Sequence, residues 1–415
     1  MTTILFSTEC NTFFDWQTLA IYNSFTRIKN RNLNLVRMMA CDDFENYEDP
    51  LQDIVETFVH ENLRYSPIVH EKGYSPYNKL YGFLKYLEIF KDTTDYIVLT
   101  DVDSIIRSNI IPQDLGVKPG VVYTAPYEHL IGADNNFYKR FLVTRNSVDK
   151  VGKFQIFHIS DAERIAPLWF EYTKLIREFI HEKTELYIKE TVLNNHPNEY
   201  EINQAKWHAD MYGYIFAASH LNIKHIISQS FLINAGYSPH VQKKPYISHY
   251  GIEFNIGDTV FDKIHYKDMK ISDCKYYLID NGDVDSNTTK RDMISIEVIN
   301  NINLGLCYYY EKVCEMACST QTIEKINNEI NYIEKSWKCK NEHPDCNIWK
   351  ENGECSKNPQ FMNNLCTYSC GKCEKEEYKF DYKYTLFIIF TLIIIYIIFY
   401  KRKNEVKYKG FQHVV

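Results

Sequence analysis

Asp101-Val102-Asp103 stands at the end of the apolar run Tyr96-Ile97-Val98-Leu99, which puts a pair of carboxylates at the carboxyl edge of a predicted buried strand. In an extended segment, residues two apart project to the same side, so both acids can face one site. Crevices beyond the carboxyl ends of parallel strands are where open α/β sheets hold nucleotides. Hard divalent ions such as Mg or Mn take carboxylate and water ligands, and a diphosphate supplies the rest of the shell. The chemistry that fits is metal-assisted transfer from a diphosphate-activated donor, as in a metal-dependent sugar transferase. For three residues taken alone, a solvated acidic turn is the competing reading.

The elements that must carry this pair alternate along the chain. Residues 4–8 read as a first strand, 16–25 as a helix, 34–39 as a second strand and 95–100 as the strand that leads into Asp101. Residues 120–123 and 154–158 read as further strands, and the alternation implies a mostly parallel α/β sheet. After Asp161, the residues Ile165, Leu168, Trp169 and Tyr172 share one helical face. Met211, Tyr214, Ile215 and Ala218 repeat that spacing, so Asp210 falls at a helix start, where an N-cap is its ordinary role. Residues 295–313 and 322–337 look helical, with Cys307, Cys314 and Cys318 expected on one face.

A chain of 415 residues with 45% apolar composition can bury a large core and carry appendages. Its formal charge of -7 and the lack of a long basic stripe in the body argue against nucleic acid as a partner. The 12 cysteines crowd toward the end, in a density that suits an oxidising lumen. Residues 384–400 carry no charge and are followed by Lys401-Arg402-Lys403. At about 1.5 Å per residue that run spans roughly 26 Å, so one transmembrane helix is expected, with a cytosolic basic tail. Residues 1–6 lack the basic and apolar regions of a targeting segment. The cysteines nevertheless favour a lumenal body on a single-pass membrane anchor in the endoplasmic reticulum or Golgi. The sequon Asn287-Thr288-Thr289 would then be open to glycosylation.

Longer stretches carry a resemblance. FSTECNTFFDWQTLAIYNSF, SPYNKLYGFLKYL, YIVLTDVDSIIR, TAPYEHLIGADN, VGKFQIFHI, DMYGYIFAA and ISHYGIEF, spread over about residues 3 to 265, together resemble the peptidyl serine α-galactosyltransferases of plants and algae. The hydroxyproline O-arabinosyltransferases are similar at a greater distance. The resemblance implies a GT-A type fold and an anomer-retaining enzyme. Such an enzyme moves a sugar, galactose from UDP-galactose foremost, to serine hydroxyls of secreted or structural proteins. A hydroxyproline O-arabinosyltransferase-like enzyme is one alternative. An inactive transferase fold that serves as a membrane-anchored binding protein is another.

The roles that the resemblance implies are specific. Asp101 would approach the ribose or the metal, Asp103 would ligate Mn or Mg, and His249 in His249-Tyr250-Gly251 would complete the metal site. Lys79 would bind phosphate as a point charge. Phe6, Ser7 and Thr8 would meet the uracil and ribose of the UDP-sugar. Tyr127, Glu128 and Asp134 would line the donor or acceptor pocket, and Asp210 would sit beneath the sugar; Asp210, Glu128 and Asp134 are the candidate catalytic carboxylates. The acceptor would be a serine- or hydroxyproline-rich protein. Two departures stand out: Leu80 follows Asn78-Lys79 where a proline is expected, and Asp210 precedes Met-Tyr-Gly where a glutamate is usual.

A second resemblance covers Cys339 to Cys373, whose spacing C-x6-C-x8-C-x10-C-x3-C-x2-C, with Trp349 and Gly353, is similar to a ShK toxin-type module. It implies the bridges Cys339–Cys373, Cys346–Cys366 and Cys355–Cys370, the staples that so small a module needs. The expected organisation is therefore a GT-A glycosyltransferase domain at 1–270, a helical extension at 271–338, the ShKT module at 339–373, a linker at 374–383, the membrane helix at 384–400 and a cytosolic tail at 401–415.

Overall fold

The apolar run before Asp101 becomes a central strand of a seven-stranded sheet. The computed structural model describes residues 1–372 apart from 44–45, 70, 143–146, 195, 238–242, 257–258, 283, 286–287, 338–340, 342 and 344. The strands are β1 (Thr2–Glu9), β2 (Leu33–Cys41), β3 (Thr57–Glu61), β4 (Tyr96–Asp101), β5 (Ser104–Ile106), β6 (Val121–Pro126), β7 (Val151–His158), β8 (Lys224–Ile227), β9 (Leu232–Asn234), β10 (Ile247–His249), β11 (Phe254–Ile256) and β12 (Thr259–Phe261). The main sheet has the order β3-β2-β1-β4-β7-β6-β8. Its first four strands run parallel, β7 is antiparallel to both neighbours, and β8 is parallel to β6. A small second sheet, β5-β10-β9, stands beside it, and β11 and β12 form a hairpin.

The helices are α1 (Asp15–Arg27), α2 (Pro76–Phe90), α3 (Ile159–Glu182), α4 (Thr184–Thr191), α5 (Glu199–Trp207), α6 (Ala209–His220), α7 (Lys290–Val313), α8 (Thr320–Ser336), α9 (Cys346–Glu351), α10 (Glu354–Lys357) and α11 (Pro359–Leu365). Alternation along the strands divides the core into two layers. Leu5, Val36, Met38, Ile97 and Leu99 point to the side of α2, α3 and α6. Ile4, Phe6, Leu35 and Val98 point to the other side, toward Ile21 of α1. Leu80 is buried in the first of these layers, on a helix whose first turn already carries Pro76. A proline at position 80 would remove a helical N–H that leucine retains.

Two glycines set how closely helices approach. A Cβ on Gly213 of α6 would lie 2.2 Å from Oγ1 of Thr173 on α3, and one on Gly305 of α7 would lie 2.6 Å from the carbonyl oxygen of Leu19 on α1. Helix α7 thus packs directly on α1, and Trp16, Leu19, Ile294, Ile299, Ile302 and Leu306 share one apolar cluster. A buried ion pair, Arg107 to Glu297 at 2.7 Å, ties the end of β5 to α7.

The disulfides are Cys10–Cys41 at the carboxyl ends of β1 and β2, Cys274–Cys314, Cys307–Cys318, Cys346–Cys366 and Cys355–Cys370. The implied Cys339–Cys373 bridge lies outside the described residues. The expected common face for Cys307, Cys314 and Cys318 does not form, because α7 ends at Val313 and the last two cysteines lie beyond it with different partners. The expected fold class needs a larger correction in its transmembrane helix. Among the described residues no helix is long and apolar enough to cross a membrane, and residues 384–400 lie outside them.

Gly213→Ala should lower stability by about 1–3 kcal/mol through overpacking against Thr173, more than the gain of about 1 kcal/mol in helix propensity. A urea titration followed by circular dichroism measures it.

Candidate active site

Asp101 closes β4, and a tight turn carries Asp103 to the start of β5. The hydroxyls of Thr100 and Ser104 lie 3.0 Å apart across the base of that turn. The two acids converge because of this turn, not because they alternate along one extended strand. Strand β10 then sets His249 opposite Ser104 on β5 and opposite Asn234 on β9. The Tyr250 N–H donates to the Asp103 carbonyl at 2.9 Å, which seals β10 against the turn.

One ligand atom from each of Asp101, Asp103 and His249 lies within 4.8 Å of the others, the arrangement that could hold a metal ion. Two carboxylates and one imidazole suit Mn or Mg with water and phosphate in the remaining positions. The Nδ1–H of His249 donates to Oδ1 of Asn234 at 3.0 Å, which orients the ring and turns Nε2 toward Asp103 at 3.2 Å. Gly251 leaves space for that ring, since a Cβ there would come 2.3 Å from Cε1 of His249.

The carboxylates are matched by lysines. Burial alone would raise the Asp103 carboxyl, but the Lys263 ammonium and the His249 ring outweigh it and hold it well below the usual carboxylate range. Lys79 lies 3.3 Å from Asp101 and 3.3 Å from Asp210. Burial would lower the Lys79 ammonium, and these two carboxylates overcome it and raise it. Asp210 moves up, because burial prevails over the neighbouring Lys79. Asp210 is in the first turn of α6 while His208 occupies the N-cap position, and its carboxylate meets both Lys79 and the first-turn N–H of Met211. The Tyr74 hydroxyl accepts the Asp210 N–H at 3.0 Å and donates to the Trp207 carbonyl at 2.8 Å. Trp169 Nε1–H donates to the Asp210 carbonyl at 2.6 Å.

The other residues singled out from the sequence are not among the three whose atoms converge. Phe6 is fully buried in an apolar cluster, and the hydroxyl of Thr8 is buried without a hydrogen-bond partner among the described residues. Ser7, partly exposed, is in register with Asp101. Glu128 and Asp134 meet on Lys150, with side chains 76% and 60% exposed, and neither is part of the Asp101, Asp103 and His249 group. Tyr127 shares a hydrogen bond with His208 at 3.0 Å, beside the helix that carries Asp210. Lys263, Asn234 and Gly251 complete the arrangement; of these only Gly251 carried a signal, in the His249-Tyr250-Gly251 motif.

Known proteins show the same ancestry. A peptidyl serine alpha-galactosyltransferase of Chlamydomonas reinhardtii is 25% identical over 90% of this chain and 56% of its own length. Its namesake in Arabidopsis thaliana is 31% identical over 73% of this chain and 37% of its own length. The chain is homologous to the peptidyl serine alpha-galactosyltransferases. It therefore spans about half or less of the length of those relatives. Hydroxyproline O-arabinosyltransferase 3 of Arabidopsis thaliana is similar at 23% identity over 52% of this chain and 56% of its own length. Residues 338–373 match the ShK domain-like family. A solved apo structure of the bifunctional glycosyltransferase WbbM overlaps 65% of this chain and 49% of its own at 13% identity, with a TM-score of 0.36.

Gly251→Ala should displace the His249 imidazole and weaken Mn binding by about 10- to 100-fold, the range for groups that orient metal ligands. Calorimetric titration with Mn, beside an unchanged circular dichroism spectrum, is the check.

Proposed function

We propose that this chain is a retaining, metal-dependent glycosyltransferase of GT-A type that moves a sugar, galactose from UDP-galactose foremost, to serine hydroxyls of secreted or structural proteins. The observation that carries the reading is the convergence of Asp101, Asp103 and His249 at the carboxyl edge of parallel strands, in a chain homologous to enzymes so named. Five disulfides among the described residues support residence in the oxidising lumen of the endoplasmic reticulum or Golgi.

Asp101, Asp103 and His249 would hold Mn or Mg, which when bound supplies Lewis-acid stabilisation to the diphosphate that leaves. Lys79 adds a fixed positive charge to the same region, and its two carboxylate partners keep it protonated and in place. In the overall exchange the bond from the sugar carbon to the diphosphate breaks. A bond to the serine oxygen forms on the same face, and the serine proton is released. Asp210 is almost fully buried and engaged by Lys79, which supports same-face attack, with Asp210 positioning the lysine, over a covalent sugar adduct on this carboxylate. Its side chain, one methylene shorter than the glutamate that the resemblance leads one to expect, fits that positioning role.

Incubation of the chain with Mn and a panel of UDP-sugars, UDP-arabinose included, tests the reading. UDP-galactose turnover is expected to prevail, and Asp103→Ala should lower it by at least about 100-fold, as loss of a principal stabilising group does. A chain that neither turns over nor binds any UDP-sugar at millimolar concentration would instead be an inactive binding protein.

A further inference from the structure

Lys263 stands out once the charges are counted. Three carboxylates, Asp101, Asp103 and Asp210, face two ammonium groups, Lys79 and Lys263. Asp103 has both oxygens engaged: Oδ1 is 3.2 Å from Nε2 of His249, and Oδ2 accepts from Lys263. A lysine therefore already holds the carboxylate that a metal ion would need.

The lysine's placement is built in. It follows β12 in a single helical turn, Lys263–Tyr266, whose start is capped by Asp262 accepting the Ile264 N–H. The residues on either side of it are anchored: Phe261 stacks on Tyr266 with ring centroids 5.5 Å apart, and both pack against Trp16. Trp16 in turn stacks on Tyr250, the residue next to His249. The Lys263 side chain is 19% exposed, so it lies along the wall of the site and not out in solvent.

We infer that Lys263 is a resident counter-ion of the metal site, which a divalent cation must displace from Asp103 and which then turns to the diphosphate that arrives with the ion. The inference rests on the metal-dependent reading above. Electrostatics gives its reason. With Lys263 in place the three carboxylates are nearly neutralised, and adding a dication alone leaves excess positive charge in a poorly solvated pocket. A diphosphate brings the negative charge that offsets it and gives the released ammonium a partner. Metal and nucleotide should therefore bind together, each weak alone, by a coupling that is reciprocal.

The test measures Mn affinity by electron paramagnetic resonance, with and without UDP, for the wild-type chain, K263M, K263Q, K263R and D103A, each checked for folding by circular dichroism. In wild type, UDP should tighten Mn binding. K263M and K263Q should bind Mn alone about tenfold tighter than wild type and lose most of the tightening by UDP, while K263R behaves as wild type. If K263M and K263Q, both folded, bind Mn no tighter than wild type while D103A abolishes binding, the counter-ion role is overturned and the metal site stands. If D103A binds Mn as wild type does, the metal site itself falls, and this inference with it.

Discussion

Carboxylates removed from water require counter-charge, and the candidate active site is organised around that requirement. Asp103 and Asp210 are both buried, and each is met by an ammonium from a distant part of the chain, Lys263 after β12 and Lys79 on α2. Those pairs form only if the β11–β12 hairpin, the first turn of α2 and the start of α6 all dock correctly. The close contact of α6 with α3 at Gly213 and the aromatic group around Trp16 are the packing that brings them there. Core geometry and site electrostatics are thus one problem in this molecule.

Much of the main sheet was legible in the sequence, because strands covered on both faces read as nearly continuous apolar runs. Helices α3 and α6 showed their buried stripes, whereas α2, which carries Lys79, was not read as a helix and α7 begins five residues before the expected start. Strand direction was not legible: nothing local marks β7 as antiparallel to β4. Strands β5, β9 and β10, three residues each, are too short for a periodic pattern. Yet their pairing is what sets Asp103, Asn234 and His249 side by side.

Among the candidate site residues, motif resemblance named the three whose side-chain atoms converge, and it named Lys79 and Asp210 without indicating that they pair with each other. It did not give the direction in which each side chain of a motif turns. Phe6 alternates into the core with Ile4, and Glu128 and Asp134 turn out toward Lys150. Lys263 had no sequence signal, being one lysine 160 positions from its carboxylate. Only the folded chain brings them together.

The missing side chain at Gly305 has a reach beyond its own helix. Because the backbones of α1 and α7 touch there, and because Trp16 on α1 leans on the residue beside His249, the stretch after residue 270 supports the side of the site that carries His249. Recombination that transplanted the amino-terminal two-thirds without α7 would yield an orphan with a sticky apolar flank and a slackened imidazole. Ligand cluster and buttress must therefore be inherited as one unit, while change is cheaper in exposed loops that neither of them touches.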